Sequence, residues 1–385
     1  MVYDIATSIA QNSLIIVDLL YLKGKLEDFT HANVHFIGSS YVHYVKHFSF
    51  IYLRTLFRLL KKYGHSFKSI RDCFYYFIIS GYLQYVIKSG GYDLVHIHGC
   101  EYYLDYIINI CKKLGIKCVV TLHGLNSFDS SIRISEERKK YERDFLYCGM
   151  QEKLHLTFVS SGCLNRVCEF LKVKNVPTFN VVLNGTCLNK HTKYIDIRKL
   201  YALPKESFIV LYVGNISSNK NQKRFVKAFN SMNIKEKDKI YILLLGRDDD
   251  NDSIKRYIIE EKLEKQIIYC GFIEKGVINN YYKQSNAVAL ISESEGFGLS
   301  LIEGMMNGIP GLMVEDMDAF TDLYNKDSII AIKSRNKNDI IQGIKMLVNT
   351  PWNHNIISDF AKRFSLEEMS ANYINLYCSI IESGN

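Results

Sequence analysis

Residues 292–310 read SESEGFGLSLIEGMMNGIP and hold the side chains whose spacing best suits chemistry. Glu295 and Glu303 bracket a Gly296-Phe297-Gly298 turn and an apolar run. The preceding NAVALIS has the composition of a buried strand, and LSLIEGMMNG has helical patterning that stops at Gly308, with Pro310 forbidding continuation. The glycines therefore form a strand-to-helix turn whose free amides and dipole suit an anion such as a diphosphate. Glycine also lets the backbone come close to that ligand. Glu295, at the turn, can accept hydrogen bonds from sugar hydroxyls. Glu303, inside the helix and facing the same cleft, can hold a ribose through both oxygens. A lone Gly-x-Gly turn would be explained as well by Glu295 complementing the helix dipole and Glu303 lying on the surface. Two glutamates seven residues apart around such a turn, followed by Gly308-Ile309-Pro310, are more specific.

The elements that must position these groups are legible as short Val- and Ile-rich runs between helical patterns. DLVHIHG (93–99), KCVVTLHG (117–124), LTFVSS (156–161) and NVVLNG (180–185) read as buried parallel strands with polar C-terminal ends. The pattern restarts with SFIVLYVGN (207–215), KIYILLLGR (239–247), KQIIYCGF (265–272), NAVALIS (286–292) and IPGLMV (309–314). This alternation predicts an α/β protein with two Rossmann-like halves and a break near residues 186–204. The expected domains are 1–185, completed by a C-terminal helix over 356–385, and 186–355. A ligand cleft is expected where strand C-termini face each other.

The chain has 385 residues, a net charge of +8 and ten cysteines, none in a CxxC pair. Zinc-finger spacing is absent, and no basic leader precedes the first apolar segment, so reduced cysteines and a cytoplasmic location are expected. The most apolar segment, 73–87, is interrupted by Gly81 and Gln84 and is too short to span a bilayer. The modest positive charge suits nucleotide phosphates or anionic lipid, and no nucleic-acid partner is expected. Residues 41–77 mix Lys and Arg with many aromatics. They read either as core-packing helices with a basic outer face or as a surface making peripheral contact with the inner face of a membrane.

The run at 292–310 resembles the E-x7-E signature of the family 4 retaining glycosyltransferases (glycosyl transferases group 1), which have the GT-B fold. YVGNISSNKNQKRFVKAF (212–229) is similar to that family's donor-phosphate loop, and YCGFIEKGVINNYYKQSNAVAL (269–290) to its nucleobase-holding segment. VVTLHG (119–124), VVLNG (181–185) and RFSLEEMSANYINLY (363–377) resemble the acceptor-domain histidine strand, the interdomain turn and the closing helix. The resemblance spans roughly residues 90–380 and implies two Rossmann-like domains facing a cleft. It implies catalytic roles for His123, Lys220 and Glu295: His123 projecting toward the donor sugar, Lys220 neutralising the leaving diphosphate, Glu295 touching sugar hydroxyls. It implies donor binding by Gly214, Asn215, Lys220, Phe272, Ile273, Glu295, Gly296, Phe297, Gly298, Leu299, Ser300 and Glu303. The implied reaction transfers a hexose or N-acetylhexosamine from a nucleoside-diphosphate sugar to a saccharide or lipid-linked saccharide acceptor, by front-face attack with the leaving phosphate taking the proton. No cofactor and no metal are implied.

Two positions depart from the family. Asn215 stands where an arginine usually follows the glycine, with Lys223 or Arg224 as nearby replacements for its charge, and the N-terminal VYDIATSIAQNS carries no Gly-Gly loop. The first departure motivates one alternative, a weakened GT-B protein acting as scaffold or partner, and a nucleotide-sugar epimerase is a further one. Three further motifs are set aside. GRDDDNDS (246–253) reads as a solvated acidic turn rather than an Asp-x-Asp metal site. His96 and His98 are expected on opposite faces of a strand, unable to share a metal. Ser160-Ser161 reads as a strand end, and Asn184-Gly185-Thr186 has sequon spacing in a chain expected to be cytoplasmic.

Overall fold

The computed structural model describes residues 2–12, 14–22, 27–128, 134–188 and 193–383. They form two compact units. The first comprises residues 1–159, 163–183 and 366–385, and the second 160–162 and 184–365.

The first unit holds a small sheet and a larger one. The small sheet orders β1 (Val17–Leu20), β3 (Val34–Ile37) and β2 (Phe29–His31) side by side, β1 parallel and β2 antiparallel to β3. The sequence signalled none of these strands. The larger sheet is parallel and runs in chain order: β4 (Leu94–His98), β5 (Lys117–Leu122), β6 (His155–Phe158) and β7 (Phe179–Val181). Helices cover it, above all the 24-residue Phe67–Gly90, whose Cys73, Tyr76, Phe77, Leu83 and Ile87 join the main core. Among the described residues no helix is long and apolar enough to cross a membrane.

The single helix expected over 356–385 is two helices, His354–Ala361 and Leu366–Glu382. Ser365 lies between them in extended backbone, and the second helix alone belongs to the first unit, where Met369 and Tyr373 pack on Ile5 and Ile9 of the helix Val2–Ile9.

The second unit is one parallel sheet of six strands: β8 (Phe208–Val213), β9 (Ile240–Leu245), β10 (Ile267–Gly271), β11 (Ala287–Leu290), β12 (Gly311–Val314) and β13 (Ile329–Ile332). Their lateral order is β10-β9-β8-β11-β12-β13. The central strands AVAL and GLMV are buried at every position, because helices cover both faces and alternation is unnecessary. Chain direction across the sheet reverses between β8 and β11. That is the doubly wound order with a topological switch point, outside whose carboxyl ends ligands bind.

Helix Leu299–Met306 packs hard on β11: a Cβ added at Gly304 would stand 2.5 Å from Val288 Cγ2. Its N-cap is Gly298 at φ +96°, left-handed backbone that side-chain-bearing residues avoid, and a Cβ there would meet Leu290 Cδ2 at 3.0 Å.

Candidate donor site at the switch point

From β8 the chain turns outward to β9; from β11 it turns the opposite way to β12. The loops leaving these two neighbours therefore part and open a crevice, floored by Gly214–Asn221 on one side and Ser292–Gly298 on the other. Lys220 Nζ contacts Glu295 Oε2 across it, both side chains about one-fifth exposed, at 25% and 18%. Ser292 Oγ donates to the same carboxylate at 3.4 Å.

The loops are laced together beneath this pair. The carbonyl of Asn219 accepts from Glu293 N at 2.7 Å. The Asn219 side chain donates to Ser294 O at 3.1 Å and accepts from Ser294 N at 2.9 Å. Asn221 donates to Ile291 O (3.1 Å) and Glu293 (2.9 Å). Buried Tyr212 donates to the carbonyl of Lys220 and accepts from Ile291 N. From just beyond β13, the buried guanidinium of Arg335 donates to the carbonyls of Ile291 (3.1 Å) and Ser292 (3.0 Å) and to Asp316 (2.6 Å). None of these supports was assigned from sequence. Asn219 and Asn221 flank Lys220 and were within reach of a local reading; Tyr212 and Arg335 carried no signal.

Asn215 is committed to structure. Its side-chain oxygen accepts from Arg247 N at 3.3 Å, while Gln222 Nε2 holds the carbonyls of Gly214 and Asn215 at 3.1 and 3.0 Å. The loops after β8 and β9 touch so closely that a Cβ on Gly246 would lie 2.2 Å from Gly214 O. The two cations considered as substitutes for an arginine at 215 are occupied elsewhere: Arg224 donates to Glu293 at 3.0 Å and Lys223 to Ser253 at 3.1 Å. The basic residue beside Asn215 is instead Arg247, whose guanidinium lies 4.9 Å from the ring of exposed Phe272. Ile273 follows, half-buried.

Glu303 is the fifth residue of helix Leu299–Met306 and is half-buried. Tyr282, fully buried, donates to Glu303 Oε2 at 2.7 Å, and Thr186 Oγ1 stands 3.4 Å from Oε1. Burial and the adjacent carboxylate push the Tyr282 phenol well up, so it remains a donor. One oxygen of Glu303 is thus fixed by Tyr282, and the expected two-oxygen grip on a ribose would share that oxygen. Gly296, Leu299 and Ser300 are half-buried, while Phe297 is buried with its ring 5.8 Å from Phe364. Phe297 offers the site only its backbone.

His123 lies in the first unit, just past β5. Its Nε2 and His98 Nδ1 are 3.0 Å apart, and its Nδ1 is buried with no partner among the described residues. Burial lowers His123 to about 4 and His96 to about 3, and holds His98 well below its usual value. All three are neutral at pH 7, so one imidazole of the His98–His123 pair donates and the other accepts.

The expectation that His96 and His98 occupy opposite faces is wrong. Residues two apart on a strand share a face, and their ring centroids are 4.1 Å apart. His96 is bonded to Thr121 (2.6 Å) and Tyr377 (2.5 Å). Among the described residues no three His, Cys, Asp or Glu are placed to hold a metal ion. Asn184 of the sequon-like triplet is buried and closed to a glycan.

The six-stranded doubly wound sheet, in a chain with a second parallel α/β unit, is the architecture of the GT-B fold. Residues 194–364 match the family model described as glycosyl transferases group 1. It is 24% identical over 301 residues to the UDP-Gal:alpha-D-GlcNAc-diphosphoundecaprenol alpha-1,3-galactosyltransferase of Escherichia coli, covering 69% of this chain and 75% of that one. In fold it is similar to sucrose-phosphate synthase from Thermosynechococcus elongatus (TM-score 0.73, 19% identity, 99% of this chain and 93% of that one). It is also similar to Anabaena HepE in complex with UDP and glucose (TM-score 0.62, 15% identity, 77% and 81%).

Proposed function

We propose that the chain transfers a hexose or N-acetylhexosamine from a nucleoside-diphosphate sugar to a saccharide acceptor with retention of anomeric configuration. The observation that carries this reading is the contact of Lys220 with Glu295 beside the N-terminus of helix Leu299–Met306. A cation, a carboxylate and a helix N-terminus meeting at one place suit a diphosphate and its attached sugar. The amides of 296–300 hold the diphosphate, and Glu295 takes the hydroxyls of the transferred sugar. Glu303 takes the ribose, and Phe272, under Arg247, offers a face to the base.

The acceptor hydroxyl attacks the anomeric carbon from the face that the leaving group departs. The bond to the diphosphate breaks, its negative charge grows beside Lys220, and the departing phosphate oxygen takes the acceptor's proton. Lys220 and the helix amides supply the positive charge at the leaving group, so the reading invokes no metal. The E. coli relative's name supports a UDP-sugar donor and a lipid-linked saccharide acceptor, hence a role in glycan biosynthesis.

A second reading rests on Asn215, whose side chain is spent on the backbone of Arg247: a weakened enzyme serving as scaffold. The test is UDP release from UDP-hexoses and UDP-N-acetylhexosamines with lipid-linked saccharide acceptors, with and without EDTA, and the anomeric configuration of the product. Acceptor-dependent, EDTA-insensitive transfer with retention supports the proposal. No turnover, with nucleotide binding indifferent to Lys220→Ala, would favour the scaffold. Sugar interconversion without acceptor would mark an epimerase.

A further inference from the structure

The N-terminal basic, aromatic region divides its side chains between two environments. On helix Phe67–Gly90, Cys73, Tyr76, Phe77, Leu83 and Ile87 are core. The opposite face does not become polar: Phe67, Ile70, Phe74, Ile78 and Tyr85 are exposed at helical spacing, Phe67 at 84%. Residues 41–52 lie against this helix. Gly81 admits the carbonyl of His47 so closely that a Cβ would stand 1.9 Å from it, and Phe48 packs its ring on Phe77 at 5.6 Å and on Phe50 at 5.0 Å. Phe50 is itself 69% exposed, and Phe57 on the neighbouring helix Leu53–Tyr63 is 62% exposed. Soluble surfaces rarely gather exposed aromatics so densely without a partner.

The charge says which partner. Between residues 41 and 71 there are seven Lys and Arg and no Asp or Glu. Lys46, Arg54, Lys61 and Lys68 stand exposed among the aromatics. We propose that this face, built from helix Phe67–Gly90 with residues 41–63 beside it, docks the protein on the surface of an anionic phospholipid bilayer. The rings would insert to the headgroup–acyl boundary and the cations would meet lipid phosphates. A second copy of the chain fits less well, since a two-fold interface through this face would set its basic groups against their own equivalents. The inference deepens the reading of a lipid-linked acceptor and rests on it for its purpose, but not for its test.

The test is co-sedimentation of the full chain with sucrose-loaded vesicles, with neither donor nor acceptor present. Vesicles of phosphatidylcholine with phosphatidylglycerol are compared with phosphatidylcholine alone. Binding at least tenfold stronger to the anionic vesicles, weakened by salt, is expected. Phe67→Ser with Phe74→Ser should weaken it tenfold or more. Lys61→Glu with Lys68→Glu should weaken it further than the roughly fivefold that each basic residue contributes near an anionic leaflet. Unchanged circular-dichroism melting shows that both variants fold.

Equal partition to the two vesicle types, or wild-type binding by both variants, overturns the proposal. So does a dimer in sedimentation velocity that these substitutions dissolve. Transfer to a soluble acceptor without vesicle binding would sink this inference and leave the proposed function standing. Vesicle binding without transfer would do the reverse.

Discussion

The ammonium of Lys220 rests on the carboxylate of Glu295, two residues 75 positions apart in the chain. Each neutralises the other, with only 25% and 18% of the two side chains exposed. Under the proposed function a diphosphate entering the crevice would compete with Glu295 for the cation, and the sugar would offer hydroxyls to the carboxylate in exchange. On that reading Lys220→Ala would remove transition-state charge stabilisation, and it leaves a partly buried carboxylate without this partner. A fall in kcat of about 100- to 1000-fold is expected, with thermal stabilisation by UDP reduced as well. Glu295→Gln should separate the two roles: UDP would still stabilise the protein, while turnover falls. If Lys220→Ala turns over at the wild-type rate, the assignment is wrong.

The side chain and carbonyl of Asn219 bind the chain at 293–294 in three hydrogen bonds. Asn219→Ala deletes two of them, a stability cost of about 1–3 kcal/mol. Its larger expected effect is a drop of about tenfold or more in kcat/KM, because positioning errors near 1 Å cost rate steeply. Denaturant melts alongside kinetics check it. A stability loss with unchanged kcat/KM would reduce Asn219 to a structural residue.

Tyr282 holds one oxygen of Glu303 from a fully buried position. Tyr282→Phe keeps the ring and removes the donor, so the carboxylate loses the bond that orients it. The expected result is a several-fold rise in the donor's KM with kcat little changed, since a ribose contact acts in ground and transition states alike. The effect should be smaller for a donor analogue lacking ribose hydroxyls. Donor-saturation curves for both donors decide the matter.

The buried histidines make stability depend on pH. Burial lowers His123 to about 4 and His96 to about 3, below the ordinary 6.5 of an exposed imidazole. Between pH 6.5 and about 4 the unfolded chain binds protons that the folded one refuses. The stabilisation is complete above pH 6.5, falls by about 1.4 kcal/mol per pH unit for each histidine on acidification, and is lost as the pH drops through the folded values. Unfolding midpoints measured from pH 7.5 to 4.5 should decline, and His96→Gln should flatten the curve. A flat wild-type profile would show that these imidazoles accept protons in place.

The parts of this molecule that sequence revealed are those encoded locally. The turn at 296–298 and the helix behind it announce themselves through glycines, a terminating Gly308 and Pro310. Strands β4 to β12 are apolar runs because both sheet faces are covered. β13 was missed: IIAI is four residues long, and what makes it a strand is its pairing with β12. β1 and β2 gave no signal because β1 is half-buried throughout and β2 exposed throughout, so neither alternates. The contact of Lys220 with Glu295, and the grip of Tyr282 on Glu303, depend on strand order and lay beyond any local pattern. The His96–His98 error was different in kind, since the two-residue period of a strand already placed both rings on one side.

Arg335 has a consequence for how the site comes into being. The peptide carbonyls just ahead of Glu295 are gripped by a guanidinium that enters the chain only after the sixth strand of the sheet. During synthesis, the Glu295 loop emerges some forty residues before the clamp that fixes it. A nascent chain paused between Glu303 and Arg335 would carry every proposed donor-binding residue of the second unit while its loop still lacked that clamp, so the site is completed by a side chain that follows the last strand of its own sheet.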